Sequence, residues 1–260
     1  MLGWGSLCAR AMLVLATIAC LAGASLAHAA EQWQNEWAVA PGFSITSDTK
    51  GYDFPSAIAF VPNPGPGPKD PLYFVTEVRG TIKVVTNDRS IHTFAQDIVG
   101  SKPPEELPAL VAETGMAGLY LDPTHGYVYV SFAYRDEGMV LRNNLVRFES
   151  TPEVFSLEPK SKLSFTEIFA DQPSSQSHQI GAMLVHEGYL YVSVGDALQT
   201  HLVRDLNYTV GKILRMTLDG KPVPDNPFYI DDDVKKPANF VWAYGLRNPF
   251  GLTVAEKGLF

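Results

Sequence analysis

Short apolar runs alternate along this chain with short polar turns, and one phrase returns. It consists of an apolar strand, a tight connection and a second apolar strand rich in Tyr and Val. The phrase reads Ala57-Ile58-Ala59-Phe60, then Leu72-Tyr73-Phe74-Val75. It comes back as Gly118-Leu119-Tyr120-Leu121 with Tyr127-Val128-Tyr129-Val130. A third copy is Ala182-Met183-Leu184-Val185 with Leu190-Tyr191-Val192-Ser193-Val194, and a fourth begins at Gly251-Leu252-Thr253-Val254. The anchor positions 57, 118, 182 and 251 are spaced by 61, 64 and 69 residues. Further strand-like runs follow inside each unit: 81–85 and 91–94 in the first, 144–148 and 165–169 in the second, and 212–217 as the clear one in the third.

Four short strands per unit, repeated, predict an all-β fold, a β-propeller of four-stranded blades. The repeat is longer than the usual blade of roughly 40–50 residues, and the surplus falls in Pro/Gly-rich or polar loops at 61–71, 101–108 and 221–237. A β-sandwich also uses many short strands, but the regular return of a whole four-strand phrase favours the propeller. No segment after residue 29 carries helical periodicity. Propellers close with roughly four to eight blades, whereas three blades and the start of a fourth are visible here. The chain therefore reads as the N-terminal part of a longer protein. Alone it is expected to be inactive and not stably folded, with an open blade edge prone to aggregation.

Composition adds a compartment. Residues 1–29 hold one charge, Arg10, an apolar stretch from Ala11 to Ala27 and the small-residue signature Ala27-His28-Ala29. This is the pattern of a secretory signal peptide, which leaves residues 30–260 for the propeller and sends the protein to the periplasm or out of the cell, with no stable membrane span after cleavage. Both cysteines, Cys8 and Cys20, lie in that segment, so the mature chain forms no disulfide. The net charge is −8, or −9 without Arg10. An evenly acidic surface argues against nucleic acid, which needs a basic patch.

Equivalent points of successive blades converge on a central channel, so the residues just ahead of each anchor matter. Asp53 stands four residues before Ala57 and Glu113 five before Gly118. His178 stands four before Ala182 and Arg247 four before Gly251, with Asn248 next. The repeat thus brings carboxylates, an imidazole and a guanidinium-plus-amide toward one mouth, a candidate active site. Asp196, in Val194-Gly195-Asp196, ends the strand that returns toward His178. A carboxylate there would fix the tautomer of His178 and raise its basicity, as a general base requires. Asp53 has turn capping as its more ordinary role, Glu113 has a solvated loop carboxylate, and Arg247 has a surface turn. His92, His125, His186 and His201 show no partner spacing. Asn207-Tyr208-Thr209 fits a glycosylation acceptor, and Asp231-Asp232-Asp233 lacks the Gly and Glu of a calcium loop. No phosphate-binding loop, zinc cluster or serine elbow is present.

Five separated stretches resemble the glucose/sorbosone dehydrogenase family, in order and at fitting spacing from about Phe54 onward. They are Gly115 to Pro123, Ser177 to Gly181 with Leu190 to Ala197, Gly211 to Met216, Asp225 to Phe228, and Tyr244 to Leu252. The resemblance implies a six-bladed propeller that uses pyrroloquinoline quinone (PQQ) and Ca²⁺ to oxidise the anomeric hydroxyl of an aldose. It implies His178 as general base, Asp196 as its orienting carboxylate, Arg247 as the cation at the quinone oxygen and Asn248 as a PQQ contact. Glu113 and Gln179 fall on the substrate side. An external electron acceptor is implied, a homodimer is left open, and the calcium ligands and the Lys and Arg residues that grip the PQQ carboxylates are expected beyond residue 260. Two positions depart from the family: Ala182 stands where an Arg is common, and Ser177 where one branch has Asp. Both bear on sugar specificity. The rival reading is a binding protein of the hedgehog-interacting type. Those proteins are cysteine-rich, and they have less use for a base with its carboxylate. A propeller lactonase would need a metal-ligand set that the sequence does not offer.

Overall fold

The computed structural model describes residues 39–99, 114–255 and 258–259. The chain divides into two units, residues 1–50 and 51–260. The described part of the first is largely exposed coil with one turn, in which the Phe43 amide donates to the Ala40 carbonyl at 3.1 Å. Residues 1–29, expected to form the signal segment, lie outside the described residues.

The second unit is built from three four-stranded antiparallel sheets, each a simple meander. The first comprises β1 (Pro55–Phe60), β2 (Pro71–Glu77), β3 (Thr81–Thr86) and β4 (Ile91–Ala95). The second comprises β5 (Gly115–Asp122), β6 (Tyr127–Arg135), β7 (Leu141–Glu149) and β8 (Ser161–Ser164). The third comprises β9 (Ile180–His186), β10 (Tyr189–Val194), β11 (Lys212–Thr217) and β12 (Val241–Tyr244), and a two-stranded hairpin follows, β13 (Val254–Ala255) with β14 (Gly258–Leu259). These are three propeller blades, with β1, β5 and β9 packed side by side as their first strands. Among the described residues no helix is long and apolar enough to cross a membrane.

The apolar pattern explains the stacking. A strand sends alternate side chains to opposite faces, and the middle blade is covered on both. From its strands, Val128, Val130, Phe132, Val146 and Phe148 enter the core shared with the first blade, where Phe74, Phe94 and Phe155 meet them. The rings of Phe74 and Phe94 lie edge-on at 5.1 Å, and those of Phe94 and Phe148 at 5.8 Å. Tyr129 and Leu145 point the other way, into the core shared with Ile180, Leu190, Val192, Leu214 and Met216 of the third blade. Each buried Phe is worth about 3–5 kcal/mol against truncation to Ala. Polar staples join the same pair of blades. Arg147 on β7 stacks over Tyr127 at 4.1 Å and donates to the Leu218 carbonyl and the Asp219 carboxylate, at 2.7 and 2.6 Å.

Each first strand bulges near its start: between Pro55 and Ala57, between Met116 and Gly118, and between Ile180 and Met183, where three residues of β9 span the step from Val194 to Val192 on β10. A buried hydroxyl sits on the second strand at the same level: Thr76, Ser131 and Ser193. Ser131 Oγ accepts from the Gly118 amide at 3.0 Å and donates to the Gly181 carbonyl at 2.7 Å, joining β5 to the head of β9. A Cβ on Gly118 would lie 2.2 Å from the Gly181 carbonyl oxygen, so only glycine lets the two strands approach this closely.

Three details differ from the sequence expectation. The run 165–169 is not the fourth strand of the second blade. That strand is β8, and Thr166–Phe169 forms one turn of helix, α1. Its buried residues Phe165, Ile168 and Phe169 are spaced i, i+3, i+4, a helical interval. The Asn144 amide holds the corner by donating to Ser164 Oγ and Thr166 Oγ1, both at 3.1 Å. The fourth strand of the third blade is β12, a Val-Trp-Ala-Tyr run that sequence reading passed over. After it, pairing resumes only at Val254, three residues later than the expected anchor at Gly251.

Candidate active site

Because each blade is a meander, the start of its first strand, the link between its second and third strands and the end of its fourth all reach the same rim. In the third blade that rim carries segments 178–179, 195–197 and 245–247, which are laced together. The Gly195 amide donates to the Gln179 carbonyl at 3.0 Å, and the Ala197 amide to the His178 carbonyl at 3.2 Å. The Asp196 amide donates to the Arg247 carbonyl at 2.7 Å, and the Leu246 amide to the Gly211 carbonyl at 3.0 Å. The approach is tight enough to demand glycine at 195, where a Cβ would meet the His178 carbonyl oxygen at 2.4 Å. His178 itself sits in the left-handed region, with φ at 57°. For a non-glycine residue that costs free energy which the surrounding contacts must offset.

The lacing brings the two expected partners together. His178 Nδ1 and Asp196 Oδ1 are 2.7 Å apart, with His178 8% exposed and Asp196 1%. The same Asp196 oxygen accepts from the Leu198 amide at 2.9 Å, while Oδ2 is buried without a hydrogen-bond partner. With Asp196 ionised, Nδ1 carries the proton and donates it, so Nε2 is the basic atom of the ring.

The first strands of all three blades line a cleft of about 420 Å³, which reaches this rim through Gln179 and Asn248, the neighbours of His178 and Arg247 in the chain, while His178 and Asp196 do not line it. Its lining includes the small residues Ala117, Gly118, Gly181 and Ala182 beside Met116, Leu119, Ile180 and Met183, with Gln179 and Asn248 supplying amides. Gln179 is 6% exposed, and its Nε2 is buried with no hydrogen-bond partner. Asn248 lines the cleft together with Pro249 and the exposed ring of Phe250.

Arg247 is brought to this rim by its backbone, but its side chain is exposed, and among the described residues its guanidinium has no hydrogen-bond or ion-pair partner. Asp53 does not join the cleft: its carboxylate pairs with Arg79 at 2.9 Å and its amide donates to Glu77 at 3.0 Å. Glu113 lies outside the described residues, although Thr114 beside it lines the cleft. His125 does have a partner, contrary to the sequence expectation. Its Nδ1 is 2.7 Å from Asp122 Oδ2 across an Asp-x-x-His turn that joins β5 to β6 in the second blade, at the end of the strands away from the rim described above.

Sequence reasoning also missed Lys212. Its side chain is fully buried at the head of β11, and its Nζ donates to the carbonyls of Val210, Val203 and Leu202 at 2.8, 3.3 and 3.4 Å. Burial without a bonded carboxylate lowers its pKa to about 8. The signal available was a lone Lys opening an otherwise apolar strand. Among the described residues, no group of three or more His, Cys, Asp or Glu is placed to hold a metal.

Residues 52–259 match the family described as glucose/sorbosone dehydrogenase. The chain belongs to the glucose/sorbosone dehydrogenase family. Among curated relatives, it is 32% identical over 93 residues to the aldose sugar dehydrogenase YliI of Escherichia coli, an alignment covering 35% of this chain and 24% of that protein. It is 22% identical over 221 residues to quinoprotein glucose dehydrogenase B of Acinetobacter calcoaceticus, covering 74% of this chain and 43% of the relative. Among solved structures, the PQQ-bound aldose sugar dehydrogenase of Streptomyces coelicolor matches with a TM-score of 0.58 and 26% identity, over 83% of this chain and 58% of that one. The chain thus spans less than half the length of these curated family relatives.

Proposed function

We propose that the protein to which this chain belongs is a PQQ-dependent aldose dehydrogenase, secreted or periplasmic, that oxidises the anomeric hydroxyl of a sugar to a lactone and passes the electrons to an external acceptor. The observation that carries this reading is the buried His178–Asp196 pair at 2.7 Å, one residue from Gln179 in the wall of the cleft, in a chain of this family. The residues present fit one side of a planar, oxygen-rich group. Ala117, Gly118, Gly181 and Ala182 in the lining of the cleft leave room for a flat ring system, and the Gln179 amide donor and Asn248 would meet oxygens of such a group or of the sugar. When bound, PQQ supplies a two-electron acceptor for the hydride on the anomeric carbon.

His178 then acts as general base. Its Nε2 would take the proton of the anomeric hydroxyl as the C–H electron pair leaves for that acceptor. Asp196 accepts the Nδ1 proton and stabilises the imidazolium as it forms, in a site where burial strengthens the charge pairing. The exposed guanidinium of Arg247 is free to turn toward an oxygen that gains negative charge. A binding-protein reading would leave a buried base and its carboxylate without a task. The test is dye reduction by the whole protein, reconstituted with PQQ and Ca²⁺, over a panel of aldoses beside a His178→Ala variant. Sugar-dependent reduction that is lost in the variant supports the enzyme. No reduction and no PQQ binding would favour a propeller that only binds a partner.

A further inference from the structure

Gln179 does not stand alone in the wall of the cleft. Ser174 Oγ lies 2.7 Å from Gln179 Oε1 and 3.3 Å from Asn143 Oδ1, so one hydroxyl bridges two amides. Asn143, on β7, is 4% exposed and Gln179 is 6% exposed, and the nitrogen of each amide is buried without a partner. A serine hydroxyl has one proton to give and two lone pairs to accept with. It cannot donate to both oxygens. Turning the Asn143 amide by half a rotation, which exchanges its O and N positions, lets its NH₂ donate to Ser174 Oγ. The Ser174 proton then goes to Gln179 Oε1, the shorter contact. This polarity gives the Ser174 proton to the shorter contact, leaves the Asn143 carbonyl oxygen in the buried place its nitrogen held, and leaves one donor over, Gln179 Nε2, in a residue that lines the cleft. The reverse polarity would give the proton to the longer contact of 3.3 Å and keep the Asn143 amide nitrogen orphaned, which a buried N–H tolerates less well than a carbonyl oxygen does.

We infer that Asn143 and Ser174 are positioning residues that hold the Gln179 amide with its NH₂ toward the ligand, so that Gln179 recognises a hydrogen-bond acceptor, an oxygen of the bound sugar. The sugar identity of that ligand rests on the dehydrogenase reading above. The orientation of the amide does not.

The experiment uses the whole protein and five variants: Ser174→Ala, Ser174→Thr, Gln179→Ala, Gln179→Glu and the Ser174→Ala/Gln179→Ala double. With PQQ and an aldose, Ser174→Ala is expected to raise KM about tenfold with kcat changed less than about threefold, the mark of lost ground-state positioning. Ser174→Thr keeps the hydroxyl and restores KM. The double variant is no worse than Gln179→Ala, because Ser174 acts through Gln179. Gln179→Glu, which replaces the donor by an acceptor, raises KM at least as far as Gln179→Ala. In cofactor-free protein labelled with ¹⁵N-glutamine, the Gln179 side-chain NH₂ resonances, identified by their loss in Gln179→Ala, shift in Ser174→Ala and return in Ser174→Thr. The inference is overturned if Ser174→Ala leaves both KM and those resonances unchanged, if its effect adds in full to that of Gln179→Ala, or if Gln179→Glu binds sugar as well as wild type. A wild-type protein that turns over no aldose refutes the dehydrogenase reading instead, and the amide resonances still decide whether Ser174 orients Gln179.

Discussion

Replacing Asp196 by Asn tests the hydrogen bond that the site is built around. The substitution keeps shape and volume but removes the charge. In the wild type one carboxylate oxygen accepts two donors, the His178 ring at 2.7 Å and the Leu198 amide at 2.9 Å. An asparagine oxygen can still take both, but without charge, and its NH₂ then enters the buried place where Oδ2 has no partner. If the amide turns the other way, its NH₂ faces His178 and imposes the wrong tautomer, with the proton on Nε2. A hydrogen bond to a charged group contributes about 1.5–3 kcal/mol, against about 0.5–1.5 for a neutral one. The difference is about 1–2 kcal/mol, and at about 1.4 kcal/mol per factor of ten it predicts a five- to thirtyfold loss in kcat if the tautomer survives. If the tautomer flips, the loss approaches the 10⁴-fold scale known for the equivalent change in a serine-protease triad. The assay is steady-state dye reduction by the PQQ-reconstituted whole protein, with PQQ affinity measured separately by titration. A variant with unchanged PQQ affinity and kcat within twofold of wild type would refute the claim that Asp196 orients a catalytic base.

Other expectations follow from the same geometry. Gly195→Ala places a methyl 2.4 Å from the His178 carbonyl oxygen, so it should destabilise the protein by about 1–3 kcal/mol in denaturant titration and lower activity together with it. Lys212 titrates near 8 when folded and near its ordinary 10.5 when unfolded, so between those values the unfolded state binds more protons and stability rises with pH. The gap of about 2.5 pH units corresponds to about 3 kcal/mol. Urea titrations at pH 7.5 and 9.5 should show a rise in wild type that is smaller in Lys212→Met, and parallel curves would contradict the buried charge. Arg147→Lys keeps the charge but loses the planar stack on Tyr127 and the paired donation to Leu218 and Asp219, at an expected cost of about 1–2 kcal/mol in the same assay.

The blades were legible because their signal is local and repeated. Tyr127 to Val130 and Leu190 to Val194 announce strands by their own composition, and the interval between copies gives the stacking. The His178–Asp196 pair was legible for a related reason: a meander fixes which strand ends meet, so position within the repeat stands in for distance. What escaped was set by contacts between distant segments. Thr166–Phe169 has the spacing of a helical turn, but four residues are too few to separate helix from strand by periodicity. Ser174 and Asn143 are 31 positions apart and meet only through the packing of a loop against β7. Lys212 reads as a polar strand residue until three loop carbonyls close around it. The Asp122–His125 pair escaped because an i, i+3 spacing brings two side chains together only when the turn between them has the right form, which the residues alone do not fix.

The central claim is that His178 removes the hydroxyl proton while hydride leaves the anomeric carbon. Its most direct test is stopped-flow spectroscopy of the PQQ-loaded whole protein, mixed with an aldose carrying either hydrogen or deuterium at that carbon. The account predicts a sugar-dependent change in the cofactor spectrum that is severalfold slower with deuterium and is lost in His178→Ala without loss of PQQ. A protein that holds PQQ yet shows no spectral change with any aldose, or a change that His178→Ala leaves intact, would contradict it.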